Sequence, residues 1–356
     1  MTVPTEDLSQ VRAVYPTLER LGYDRVFSFE AKHDPFLPLA VASQHTSRVG
    51  LGTALAIAFA RSPMTLANAA WDLQMLTGGR FVLGLGSQIR PHVEQRFSMP
   101  WSRPAARLRE MVLAIRAIWD CWQDGVPLDF RGDFYTHTRM APAFDPGPSE
   151  HGRPPILLGG VGPEMTAVAG EVADGLLVHP VNTRRSLQEL TLPALTLGAG
   201  RAGRSLEDLE VVCVTIVVTG RDDQQMERSR EAVRNQLAFY ATTPAYRPVF
   251  ELHGYEDLHT EAAQLARAGR WAEMGSLVDD ELIETIAVVG EPHEVAERIR
   301  ARLVGISDSV SLVNNRAPDP EHLVEVVHDL HQGSSSSEAH RRSSSSSGDP
   351  ATPAAD

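Results

Sequence analysis

The chain has 356 residues, of which 42% are hydrophobic, and a formal net charge of -13. That acidity argues against a generic nucleic-acid binder, and no apolar run reaches the roughly 18 residues that a membrane span needs. The opening Met1-Thr2-Val3-Pro4-Thr5-Glu6-Asp7 lacks the basic-then-apolar pattern of a secretory signal, so the expectation is a soluble cytoplasmic protein with no membrane or nucleic-acid partner.

Leu8 to Leu21 places Leu8, Val11, Val14, Leu18 and Leu21 along one helical stripe, and Gly22 stops it. Val26-Phe27-Ser28-Phe29 reads as a strand, Phe36 to His45 as a helix, and Val49 to Leu55 as a strand opening on Gly50 and Gly52. Pro63 suits the first position of a helix that runs to Leu76. Phe81-Val82-Leu83 is a short apolar run bounded by glycines, the pattern of a strand buried on both faces. It ends in Gly84, Gly86, Ser87 and Gln88, and glycines there let a ligand lie against bare backbone.

Pro104 to Trp122 predicts a long helix, with Leu108, Met111, Val112, Ile115, Ile118, Trp119 and Trp122 on one side. Val126 to Pro148, rich in Gly, Pro and aromatics, reads as a loop excursion. Strands follow at Ile156–Leu158 and Gly175–Val178, with a helix between them from Glu164 to Val172. Arg184 to Leu197 is helical, Val211 to Val218 is a β-branched strand, and Asp222 to Tyr240 is helical again. Thr242 to Ser276 reads as an insertion, and the aromatic-rich stretches Trp101–Phe144 and Phe239–Tyr255 are expected to cover the ligand site and set specificity. Ile286–Val289 and Val310–Val313 read as strands around a helix from Pro292 to Leu303, and Glu321 to Leu330 as a last helix. From Gly333 to Asp356 there are two serine runs and no Val, Leu, Ile, Met, Phe, Tyr or Trp, so that segment cannot bury enough surface to order itself.

Short turns between continuous apolar strands and helices imply a parallel sheet. With Met1-Thr2-Val3 as the first strand, the total is about eight, which suits a (β/α)8 TIM barrel with insertions. The division is one barrel domain over residues 1–331, insertions around 123–153 and 240–285, and a tail over 332–356. A doubly wound dinucleotide-binding sheet is disfavoured because no GxGxxG occurs. Cys121 and Cys213 fall in a helical and a strand pattern and read as buried thiols. Lys32 is the only lysine among 33 basic residues, a bias that points to a GC-rich source such as an actinobacterium.

Gly159-Gly160-Val161-Gly162-Pro163 lies between a strand and a helix, where free backbone N–H groups and the positive end of the helix dipole favour an anion such as phosphate. The same turn also serves as an ordinary connection. His33 and His179 each follow a strand, at the end of a barrel where sites are built, and each could move protons near neutral pH. Asp34 could instead cap the next helix. Arg90, His92 and Arg96 could attract a phosphate or form a solvated face. No metal-ligand spacing is present, so no metal is expected.

Taken in order, these segments resemble the luciferase-like monooxygenase family of flavin enzymes, and within it the branch dependent on coenzyme F420. The matching stretches are Leu21-Gly22-Tyr23-Asp24, His33-Asp34-Pro35-Phe36, Leu51-Gly52-Thr53-Ala54, Ala60-Arg61-Ser62-Pro63, Gly79 to Gly86, Gly160-Val161-Gly162-Pro163 and Ala173 to Leu177. The resemblance implies an oxidoreductase that transfers hydride between the deazaflavin and a small organic substrate. It implies that Gly160, Val161 and Gly162 hold the phosphate, that Gly86, Ser87 and Gln88 lie near the ring or its ribityl chain, and that Thr53 and Ala54 lie where the family often has a non-proline cis peptide. A homodimer is also the family's habit. Two positions depart from the pattern: Ala31 stands where many members have a catalytic His, and Ser87 where many have a Glu. His33, Gln88 and His179 are the candidates left to carry catalysis. The alternatives are an FMN-dependent monooxygenase of the same fold and a non-catalytic cofactor-binding barrel.

Overall fold

Eight short apolar runs pair side by side in parallel until the last meets the first. The computed structural model describes residues 1–3, 7–313 and 323–332. Its barrel strands are β1 (Thr2–Val3), β2 (Arg25–Ser28), β3 (Gly50–Thr53), β4 (Phe81–Gly86), β5 (Ile156–Gly160), β6 (Gly175–Val178), β7 (Glu210–Val218) and β8 (Ser309–Val313). The ring closes because Thr2 of β1 pairs with both Phe27 of β2 and Val313 of β8, while β7 pairs with β6 on one edge and β8 on the other. This is the (β/α)8 TIM barrel expected from the sequence.

Parallel neighbours need crossovers, and α1 (Val11–Arg20), α2 (Phe36–Ser43), α3 (Pro63–Leu76), α4 (Pro104–Asp124), α5 (Pro163–Val172), α6 (Leu192–Arg201), α7 (Asp223–Ala241) and α8 (Pro292–Leu303) supply them. Their limits follow local chemistry. Ser62 accepts a hydrogen bond from the Thr65 N–H at 3.2 Å to cap α3, with Pro63 in the first turn. Alternation divides each strand between two cores. Phe27, Val82, Leu157, Leu177 and Val212 fill the barrel's interior. Val26, Leu51, Phe81, Leu83, Ile156, Leu158, Leu176 and Val211 face the helices. Burial on both faces is why the strands read as unbroken apolar runs.

Two predicted elements differ. Ile286–Val289 is not a barrel strand: Asp280–Ile286 is a helix, capped by the Asp279 carboxylate on the Leu282 N–H at 2.8 Å, and Leu282, Ile283 and Ile286 are buried at helical spacing. Only Val288–Val289 is extended, pairing with Val217–Val218 past the end of the β8 ladder. The helix expected over Arg184–Leu197 is broken. A Thr183–Ser186 capping box starts a short turn, Leu187–Thr191 is wound wider, and α6 begins at Leu192. Pro193 has no N–H to give to the preceding turn, so regular winding cannot run through it.

The first excursion forms a two-stranded hairpin, Phe130–Arg131 with Thr136–His137. The Glu110 carboxylate of α4 accepts from the backbone N–H groups of Asp133, Phe134 and Tyr135 at 2.9, 2.7 and 2.7 Å. The second excursion, between α7 and Val288–Val289, carries the short helices Arg247–Glu251 and Leu258–Arg267 as well as Asp280–Ile286. It builds its own apolar cluster around Phe250, Leu282 and Ile283, against Val233 and Leu237 of α7 and Ile216 and Val218 of β7. The final helix spans residues 324–332, and the serine-rich tail from residue 333 lies outside the described residues. Cys121 and Cys213 are buried and free. No helix among the described residues is long and apolar enough to cross a membrane.

Candidate functional site

At the carboxyl end of the barrel, the chain leaving β3 runs across the mouth before α3 begins. The Ala54–Leu55 peptide is cis, at the place where the family resemblance puts such a bond. Ala54 donates its N–H to the Ser28 carbonyl at 2.7 Å, and the Leu55 carbonyl accepts from the Glu30 N–H at 3.2 Å. The Leu55 side chain lies across Gly86 and Gly159, where a Cβ would fall 2.5 and 2.2 Å from its Cδ1. Glu30 clamps this shelf from below. Its Oε2 accepts from the Ile57 N–H at 2.8 Å and from Arg61 Nη1 at 2.7 Å, while Arg61 Nη2 reaches Asp34 at 2.8 Å. The Glu30 side chain is 5% exposed and that of Arg61 15%. Burial alone would lower the Arg61 pKa, but the two carboxylates outweigh it and hold the guanidinium above its ordinary value. Asp34 Oδ1 also accepts from the Phe36 and Leu37 N–H groups, capping α2.

The Thr53 hydroxyl is fully buried and fully used. It donates to the Gly84 carbonyl at 2.7 Å and accepts from the Gly84 N–H at 2.9 Å, joining β3 to β4. Ser87 Oγ donates to the Gln88 carbonyl at 3.1 Å. Gln88 has φ +58 and turns its Oε1 onto the Ile89 N–H at 3.0 Å. Arg90 is paired with Glu94 and Arg96 with the Ala31 carbonyl, so both have local partners. His33 is half-buried in the loop after β2, electrostatically within reach of Asp7.

A cavity of about 780 Å³ opens at the ends of β5 and β6, within the range that holds organic ligands. Gly160, Val161 and Gly162 line it. Gly162 has φ +82, with open space where a Cβ would stand, and only glycine adopts that geometry without strain. Pro163 follows in the first turn of α5, and the Thr166 N–H closes on the Gly162 carbonyl at 3.1 Å. The Glu164 and Met165 N–H groups precede the first intrahelical bond and remain available. The remaining walls are mostly apolar, including Ala105 and Ala106 of α4, Ala194 and Leu197 of α6, and Pro248 and Val249 of the second excursion. The turn, its N–H groups and the empty space before it fit a phosphate-bearing ligand.

His179 lines the same cavity. It is half-buried, and the surface it retains is turned to that cavity. Its ring stacks on Tyr246 with centroids 4.0 Å apart and meets the edge of Tyr240 at 4.9 Å. Nδ1 accepts from the Val181 N–H at 3.1 Å, which leaves the proton on Nε2. Desolvation pushes the pKa down to about 3, so the imidazole is neutral across the physiological range and holds no acidic proton to give. Burial likewise raises the phenol of Tyr246, with Tyr240 adding to it. Asn182 Nδ2 holds the His179 carbonyl at 2.8 Å and the Val214 carbonyl at 2.9 Å. The second excursion is tied to the same loop through Thr183 Oγ1 and His253 Nε2 at 2.9 Å, and through Arg185 Nη1 and the Leu252 carbonyl at 2.6 Å.

The structure therefore brings Gly160, Val161, Gly162 and His179 around one cavity. Thr53, Ala54, Gly86, Ser87, Gln88 and His33 stand at the same end of the barrel but do not line it. The hairpin aromatics Phe130, Phe134 and Tyr135, expected to cover the site, are also away from it: Tyr135 OH accepts from Arg107 Nε at 2.9 Å, and Phe134 lies under Arg103 at 4.6 Å. The segment Phe239–Tyr255, expected to cover the site, does reach it: Tyr240 and Tyr246 pack on His179, and Pro248 and Val249 line the cavity. Sequence reasoning did not single out Asn182 or the Glu30–Arg61 clamp, although Glu30 was legible as the acid ending a strand. No group of three or more His, Cys, Asp or Glu among the described residues could hold a metal ion.

Residues 1–308 match the family model described as luciferase-like monooxygenase. An uncharacterized protein of Mycobacterium tuberculosis is 51% identical over 82% of this chain and 86% of its own. A second protein of that organism, whose name assigns it provisionally as a coenzyme F420-dependent oxidoreductase, is 31% identical over 79% of this chain and 84% of its own. Among solved structures, the coenzyme F420-dependent tetrahydromethanopterin reductase of Methanopyrus kandleri superposes with a TM-score of 0.77 at 22% identity, covering 94% of this chain and 98% of that one. The barrel agrees with these matches, and the chain belongs to the luciferase-like monooxygenase family.

Proposed function

We propose that the chain is an oxidoreductase that binds coenzyme F420 at the carboxyl end of the barrel and transfers hydride between it and a small organic substrate. The observation that carries this reading is the Gly160–Gly162 turn at the start of α5, which lines a ligand-sized cavity. The choice of deazaflavin follows the relative at 31% identity, whose name carries that coenzyme. When bound, the deazaflavin supplies a ring that carries hydride and reacts poorly with oxygen.

The chain's own residues do the rest. Gly160, Val161 and Gly162 hold the phosphate through backbone N–H groups and the α5 dipole. Ala54, Gly86 and Ser87 form the floor beside the ring, with Thr53 bracing it. Gln88 offers its amide to the substrate, and His33 is the imidazole placed to act on it. The partners in this reading are a small-molecule substrate and a second copy of the chain.

The test is parallel titration of the purified full chain with coenzyme F420 and with FMN, followed by fluorescence. The expected result is micromolar or tighter binding of the deazaflavin, with FMN weaker by about tenfold or more, equivalent to about 1.4 kcal/mol. The opposite preference would move the chain to the oxygen-using flavin branch. Binding of neither would overturn the reading.

A further inference from the structure

We infer that His179 is an additional arm of the phosphate site, a tautomer-locked N–H donor aimed at a phosphate oxygen and held in register by Tyr246 and Tyr240. This rests on the phosphate reading of the Gly160–Gly162 turn. Strand register brings the two together: Gly160 of β5 pairs with Val178 of β6, so Val161 and His179 leave adjacent strands side by side. Both line the same cavity. Because Nδ1 is occupied by the Val181 N–H, the ring hydrogen sits on Nε2, and Nε2 has no acceptor among the described residues. Stacking on Tyr246, the edge contact with Tyr240 and the Asn182 tie on the His179 carbonyl leave the ring little freedom. A donor fixed in this way loses little entropy on binding.

Charge explains why a neutral donor is useful here. Three carboxylates (Glu164, Glu171 and Glu189) and two guanidinium groups (Arg109 and Arg201) line the cavity. Arg109 is already paired with Glu171 at 2.7 Å. The side chains therefore offer an anion little net Coulombic attraction. Its binding depends on aligned dipoles: the turn's N–H groups, the α5 terminus and the His179 Nε2–H. Burial that keeps the imidazole uncharged removes it from proton transfer and leaves it a hydrogen-bond donor only.

The test uses full-length protein with 15N-labelled histidine. One of the thirteen imidazoles, assigned by its absence from His179→Gln, should stay in the neutral Nε2–H form from pH 6 to 9. Its Nε2 resonance should move on addition of inorganic phosphate and of coenzyme F420. In parallel, His179→Phe, which keeps a stacking ring but no donor, should weaken coenzyme F420 by about tenfold, the effect of one hydrogen bond to a charged group. The same deazaflavin stripped of its phosphate side chain should bind the variant and the wild type alike, and His179→Gln should retain part of the lost affinity. A His179 resonance that titrates like an ordinary histidine, or that ignores both phosphate and cofactor, overturns the inference. So does an equal loss for both deazaflavins. If phosphate moves the resonance while coenzyme F420 does not bind, the donor role stands and the proposed function falls. If coenzyme F420 binds tightly and His179→Phe binds it equally well, the reverse holds.

Discussion

The imidazole of His179 lies flat against the Tyr246 ring, 4.0 Å between centroids and within 16° of parallel. One residue ends a barrel strand and the other belongs to an excursion far along the chain, so this contact seats the excursion on the cavity wall. Removing it should be felt on both sides. Tyr246→Ala is expected to return the His179 pKa towards its ordinary value and to loosen the wall formed by Pro248 and Val249. NMR titration of His179 in that variant checks this, and an unchanged titration would show that the stack does not set the ring's environment.

Stability should carry the same signature. The unfolded chain protonates His179 near 6.5, whereas the folded chain resists until about 3. Between those values the unfolded state binds more protons, so the contribution is whole above pH 6.5 and is lost as pH falls towards 3, with a slope of at most about 1.4 kcal/mol per pH unit. His179→Gln lacks this term. Urea unfolding across the range should show the variant gaining on the wild type as acidity rises, and parallel curves would count against it.

The Glu30–Arg61 pair should behave as a buried clamp rather than a surface bridge. Glu30→Ala leaves the nearly enclosed guanidinium with Asp34 as its remaining carboxylate partner and frees the Ile57 N–H, so a loss of about 3–5 kcal/mol is expected. A double-mutant cycle with Arg61→Ala should return a coupling of about 1–3 kcal/mol. Independent, additive effects would mean that the clamp is not a unit.

Two glycines should respond differently to alanine. At Gly84 a Cβ would stand 1.8 Å from the Thr53 carbonyl oxygen, which is backbone of the neighbouring strand and cannot swing aside. Gly84→Ala should cost more than about 4 kcal/mol or prevent folding. At Gly162 the space is open, so Gly162→Ala meets only its φ +82, ψ 157 backbone, a conformation that essentially only glycine adopts, at about 1–3 kcal/mol. It should fold yet bind phosphate-bearing ligands less well. Comparable stability for the two variants would contradict this account.

The hairpin aromatics should matter little to binding. Phe134→Ala removes a cation–π contact with an exposed Arg103. The expected cost is below about 1 kcal/mol, with deazaflavin affinity unchanged in the same titration used above.

The barrel was legible in the sequence because its signals are local or periodic. Phe81–Gly86 and Val211–Val218 read as buried strands since both faces of a barrel strand are covered, and Gly162-Pro163 reads as a helix start since φ preference and a missing N–H act within two residues. Ile286 was misread because the same apolar residues suit a strand or a helix, and the Asp279 cap decided between them. His179 could be placed at a strand end, but its chemistry could not be read there. Its tautomer depends on the Val181 N–H, its neutrality on burial, and its orientation on Tyr240 and Tyr246, which arrive only when the excursion folds back. Local propensity and alternation determine which segments are strands and where a phosphate turn can form. Desolvation and ring packing depend on residues distant in the chain, and only the tertiary structure decides them.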